Sequence, residues 1–275
     1  MNKLLTLYDI EFKRVKKVYF SILGLMVLCN FSYFFFTLFS LVKKVENSLR
    51  LKDGLSILKR SDSVRIIKEG FYIEGIYNVT YLIMVLAIMW CLYYSLVIWY
   101  KDFSNKTKVV YTLFMLPYNK FNVYISKLIT VVSLFYGVLV TQHFLWWIEM
   151  FIIKTFTNIP MTQIIEMINY NNAISFIFST VSIYPIELFI FYIIGPIVAV
   201  TVLFTGVMIH KSMKKIGGFL GVVYVLAMFF TYLSSCLIYV MFTDVLLVSN
   251  LLYFLVSILL SMYLSYKLKK NSVYV

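Results

Sequence analysis

Six stretches without a single charged residue punctuate the chain, at 18–42, 75–100, 128–148, 188–209, 216–243 and 245–266. Each meets or exceeds the roughly 20 apolar residues that carry an α-helix through the ~30 Å hydrocarbon core of a bilayer. In lipid every backbone N–H and C=O needs an internal partner, so stretches of this length are helices. The Asn, Ser and Thr residues inside them are outweighed by the summed insertion energies of Leu, Ile, Phe and Val. The pattern therefore predicts an all-α integral membrane protein, a single transmembrane domain over 1–275 with spans at about 18–42, 76–100, 128–153, 186–209, 216–242 and 245–266.

The polar intervals carry their own periodicities. In residues 1–17, Leu4, Leu5, Tyr8, Phe12 and Val15 recur at helical spacing and Tyr19 continues the series. Asp9, Glu11, Lys13, Arg14, Lys16 and Lys17 fall mostly opposite, which predicts an amphipathic helix lying on the inner leaflet. The interval 43–74 mixes charges with Leu49, Leu51, Leu55, Ile57, Leu58, Ile66 and Ile67, and is too long and too apolar for a plain turn. Helical pieces resting on the outer surface are expected there. Residues 167–186 are also free of charge, and Ala173–Tyr184 reads as an outer-leaflet helix or re-entrant piece, because a seventh crossing would put the basic C-terminal tail on the wrong side. Gly195 and Pro196 predict a kink within the fourth span, and Thr243 and Asp244 a tight outer turn. Gly217 with Gly221, and Ser257, Ser261 and Ser265 at four-residue intervals, predict close helix packing within the chain.

Composition agrees: 62% of residues are apolar and only 13% are charged, a balance that excludes a water-soluble monomeric globule. The net charge of +13 is distributed unevenly. With the N-terminus inside, the inner segments hold 16 Lys and Arg residues and the outer segments 9, so both termini are expected in the cytoplasm. Anionic headgroups and this bias account for the basic charge without a nucleic-acid partner. The scarcity of alanine, against many Ile, Phe, Tyr, Lys and Asn, points to an AT-rich genome and a bacterial plasma membrane. The first apolar run is too long for a cleaved signal peptide and is expected to stay as the first span. Cys29, Cys91 and Cys236 fall mid-span and read as packing residues.

Catalytic patterns are missing. The sequence has no Gly-rich loop ending in Gly-Lys-Ser/Thr, no HExxH, no CxxC and no GxSxG, so no catalytic site, metal site or cofactor is expected on this chain. His210, followed by Lys211 and Lys214, reads as surface anchoring, and His143, beside Gln142, as hydrogen-bonded within the bundle. Glu149 and Glu187 fall at the outer ends of the third and fourth spans. With Trp146 and Trp147 adjacent, Glu149 reads as a wet carboxylate in an aromatic belt. The alternative is that Glu149, Glu187 and His143 line a substrate path or couple proton movement.

The segment 101–127 between the second and third spans is basic and helix-compatible, and Pro117 divides it into two short helices near the membrane surface. Asp102, Lys106-Thr107, Leu113, Leu116-Pro117, Tyr118, Lys120 and Ser126-Lys127 follow one another there. In this order the chain resembles the permease subunits of ABC type-2 exporters, whose corresponding loop carries an acidic residue, a Lys- or Gly-Thr, a leucine run, Leu-Pro-x-x-Arg and a later Ser- or Gly-Lys. Lys120 stands where Arg is commoner and Asp102 where Glu is commoner. The N-terminal YDIEFKR helix and the six-span plan also fit, although the short interval between spans five and six leaves no room for the re-entrant outer helices that many members carry there.

The resemblance implies a transport subunit without its own ATPase. Residues Asp102, Lys106, Thr107, Leu113, Leu116, Pro117, Tyr118 and Lys120 would dock a separate ATP-binding subunit that holds ATP and Mg, as a cytoplasmic coupling helix. A second permease subunit, identical or not, would complete an outward path for an amphipathic peptide, antibiotic-like compound or lipid. Two other classes stay open, an ion- or proton-coupled secondary transporter using Glu149 and Glu187, and a membrane sensor or scaffold.

Overall fold

The computed structural model describes residues 3–50, 53–59, 73–103, 120–157, 159–160, 193–213, 216–239 and 243–271. Among them there is no strand. The elements are α1 (Lys3–Leu49), a 3-10 helix (Gly54–Lys59), α2 (Ile73–Phe103), α3 (Lys120–Phe156), α4 (Gly195–Ser212), α5 (Gly217–Tyr239) and α6 (Thr243–Asn271). All six α-helices are long and apolar enough to cross a membrane, and the chain is a multi-pass helical membrane protein.

Several boundaries differ from the sequence pattern. The expected surface helix over 1–17 is not a separate element, because α1 runs unbroken for 47 residues from Lys3. At 1.5 Å per residue that is about 70 Å, more than twice the hydrocarbon thickness, so the charged turns before Val18 and after Val42 lie beyond the apolar layer. The interval 43–74 is likewise not all loop, since α1 reaches Leu49 and α2 begins at Ile73. Gly195 and Pro196 begin α4 directly after a π-helical step at 193–194, with Pro196 in the first turn, and the part of the expected fourth span before 193 lies outside the described residues. Residues 120–127, expected at the end of the inner segment, form the first two turns of α3.

The chain divides into two compact units. The first comprises Met1–Lys17, Met89–Phe135 and Val181–Val275, the second Val18–Ile88 and Tyr136–Thr180. In the first unit α4 packs against both α5 and α6, with Val198, Val202 and Phe254 at the centre and Tyr224, Tyr232 and Tyr253 around them. Close approach is made possible by glycine: a Cβ on Gly221 would stand 2.5 Å from the Gly206 carbonyl oxygen, and one on Gly206 would stand 2.7 Å from Val225 Cγ2. The serine stripe of α6 is buried here as well. Thr205 Oγ1 donates to the Ser261 carbonyl at 3.1 Å and lies 3.0 Å from Ser265 Oγ, and Tyr224 OH lies 2.9 Å from Ser261 Oγ. Both small-residue patterns thus serve packing within the chain, as expected.

In the second unit Phe34, Leu38, Leu41, Val42 and Val45 of α1 enclose Ile57 and Leu58 of the 3-10 helix together with Ile153 and Ile159. The 3-10 helix is therefore built into a core, where a piece resting on the surface was expected. Its entry is held by Gly54, whose φ of +60° suits glycine and whose N–H donates to Glu46 Oε1 at 2.9 Å.

Candidate functional site

Glu11 of α1, Asp102 of α2 and Lys127 of α3 lie in the charged intervals that flank the apolar runs, and in the first unit they meet. Lys127 Nζ donates to Glu11 Oε1 at 2.7 Å and pairs with Asp102 Oδ2 at 2.5 Å. The other oxygen of each carboxylate faces Arg14, whose Nη1 is 3.3 Å from Glu11 Oε2 and 3.4 Å from Asp102 Oδ1. Two cations and two anions thus alternate in a closed, electrically neutral ring.

Burial makes this ring costly to disturb. The Lys127 side chain has 0% of its surface exposed, Glu11 4% and Asp102 5%, whereas Arg14 keeps 41%. Ions removed from water to this degree are tolerated only when paired and hydrogen-bonded. Lys127 has a third neighbour, since its ammonium lies 5.3 Å from the centroid of the Trp99 ring. Trp99 in turn packs edge-on against Phe204 at 5.5 Å, and Tyr124 does so at 5.7 Å, so an aromatic wall backs the ring of charges. Tyr8 OH, 3.4 Å from Ser133 Oγ, adds a further polar contact between α1 and α3.

The sequence-predicted docking residues fall on either side of what the structure describes. Asp102 is buried in the charge ring, so it holds the frame and is not open to a partner, a correction to its expected docking role. Lys106, Thr107, Leu113, Leu116, Pro117 and Tyr118 lie outside the described residues, as does Glu187. Lys120 is the first residue of α3. Spacing alone had marked Lys127 only as a motif residue and Glu11 only as one charge on an amphipathic face. No local signal separated them from the neighbouring charges Lys13, Lys16, Lys17 and Lys101, because only packing decides which of these charges meet.

The second unit holds the other sequence candidates. Glu149 is not the wet carboxylate expected of an aromatic belt: it is 0% exposed, and neither oxygen has a hydrogen-bond partner among the described residues. Trp146 donates from Nε1 to Thr80 Oγ1 at 2.9 Å and so turns inward, while Trp147 is exposed. His143 is exposed, its Nδ1 lies 2.8 Å from the Leu139 carbonyl of its own helix and its ring packs on Trp146, while the neighbouring Gln142 makes the buried contact between helices. Gln142 Nε2 donates to Asn30 Oδ1 at 3.0 Å and Asn30 Nδ2 donates back to Gln142 Oε1 at 3.3 Å. Nothing brings His143 and Glu149 together, and among the described residues no group of His, Cys, Asp and Glu could hold a metal ion.

Fold and site define a multi-pass helical membrane protein with a buried ion cluster bracketing the charged interval between its second and third helices. No protein-family model, curated protein or solved structure matches the chain.

Proposed function

We propose that the chain is the membrane subunit of a bacterial ABC exporter, with both termini in the cytoplasm, and that a separate ATP-binding subunit docks on the segment between α2 and α3. One observation carries the reading: Asp102 at the start of that segment and Lys127 at its end are tied to each other and to Glu11 of α1 in a single buried ring. A partner that grips the intervening residues pulls on a frame shared by three membrane helices. The order of residues from Asp102 through Leu116-Pro117 to Ser126-Lys127, and the lack of a phosphate-binding loop in the chain, support the same reading. A second permease subunit and an amphipathic peptide, antibiotic-like compound or lipid as cargo belong to this proposal.

Affinity purification of the chain from its own membranes tests it. A nucleotide-binding ATPase is expected to co-purify and to be lost when 107–118 is replaced by a Gly/Ser linker. Absence of any ATPase from the intact chain refutes the proposal.

A second reading has its own observation. Glu149 is buried in a membrane-crossing helix with both oxygens unpartnered among the described residues, and carboxyls so placed mark ion or proton pathways. Reconstituted alone in proteoliposomes, a secondary transporter would move substrate on a proton gradient and lose this activity on Glu149→Gln. An exporter subunit would do nothing without its ATPase.

A further inference from the structure

The end of α2 and the facing sides of α4 and α5 line an open groove of about 400 Å3 in the first unit, within the size range of ligand pockets. Its wall is apolar, with Leu96, Leu203, Val207 and Val225 among the lining residues, and Gly206 and Gly221 lie where α4 and α5 touch. From Leu203 to His210 it follows α4 for about 10 Å.

One end is different. Tyr100 and His210 line it with ring centroids 5.7 Å apart, and the Lys211 ammonium lies 5.0 Å from the Tyr100 centroid. His210 Nδ1 is buried and has no hydrogen-bond partner among the described residues. Exposed Lys101 follows Tyr100 directly. The space is thus an apolar slot closed by cationic and aromatic groups at a single end.

That polarity selects a ligand. A neutral hydrocarbon would leave the basic end unused, and a free anion would leave the apolar wall without a partner. An acyl chain with a phosphate headgroup satisfies both, as in basic pockets between membrane helices that hold anionic lipids. We infer that this groove binds one acyl chain of an anionic phospholipid, with Lys211 and His210 at its headgroup. The site is separate from the ion ring and does not depend on the proposed exporter function.

Native mass spectrometry of the full chain in non-ionic detergent tests the inference, with phosphatidylglycerol and phosphatidylcholine of identical chains as probes. The wild type is expected to retain one phosphatidylglycerol in preference to phosphatidylcholine. Lys211→Gln should weaken phosphatidylglycerol binding roughly fivefold, the effect of one basic residue at a membrane surface, and leave phosphatidylcholine unchanged. Lys211→Arg should restore the preference. Val222→Trp, on an exposed lining position, fills the slot and should abolish retention of both lipids. Leu226→Trp does the same one turn on and replaces it if Val222→Trp lowers the melting temperature. Equal retention of the two lipids by the wild type, unchanged binding in the filled variants, or displacement by soluble glycerol phosphate alone would each overturn the inference.

Discussion

Lys127 concentrates more consequence than any other side chain in the first unit. Its ammonium is fully enclosed and serves two carboxylates at once, so Lys127→Met would strand Glu11 and Asp102 as buried, repelling anions with only Arg14 between them. A loss of about 3–5 kcal/mol is expected, the range for breaking a buried pair from one side. Thermal unfolding in detergent would measure it. The combined variant Glu11→Gln, Asp102→Asn, Lys127→Met should unfold closer to the wild type than Lys127→Met does, because it leaves no unpaired charge behind. Arg14→Gln should cost no more than about 1 kcal/mol, since that guanidinium is partly solvated and its contacts are long. In the second unit Asn30 and Gln142 make a reciprocal amide pair that allows a cleaner test. Either Asn30→Leu or Gln142→Leu strands one buried amide at a cost of about 1–3 kcal/mol, whereas the double variant should regain most of it. Additive losses in that cycle would show that the two amides are not coupled.

Helix packing sets the next scale. Gly221 is tolerant of nothing larger, because a Cβ would meet the Gly206 carbonyl backbone and not a side chain that could swing aside. Gly221→Val should therefore force α4 and α5 apart and destabilise the protein by about 1–3 kcal/mol. Gly24 supplies the contrast: it lies within α1 with nothing within 4 Å of its missing Cβ, so Gly24→Ala should be neutral or stabilising by up to about 1 kcal/mol. A melting temperature that fell equally in both variants would contradict this account. The six helices were legible in the sequence because lipid imposes one rule on every stretch that crosses it. Their ends were less so. A charge run read as the close of a span, yet α1 carries Lys3 to Lys17 and Lys43 to Leu49 in the same helix, since a helix leaving the bilayer keeps its own hydrogen bonds in water. The 3-10 helix escaped for a related reason: Ile57 and Leu58 stand in charged company, and only their contact with α1 and Ile153 shows that they are core.

For the whole molecule, the topology that belongs to the proposed function is a prediction: six crossings with both termini on the side richer in Lys and Arg, the cytoplasmic one. Green fluorescent protein fused to either end should fluoresce, and alkaline phosphatase inserted near residue 60 should be active. An active phosphatase at the C-terminus would overturn this topology. By itself the sequence determined the solvent of this protein, the six long apolar helices found among the described residues and the lack of any phosphate-binding loop, because these follow from local composition and spacing. Which charges meet was decided by tertiary structure alone. Glu11, Asp102 and Lys127 are separated by 91 and 25 positions along the chain, and Asn30 and Gln142 by 112. Nothing in their own neighbourhoods distinguishes them from solvated surface charges or from the other polar residues of a span. Packing brings them together, and once water is excluded each can keep its polar group only through the other.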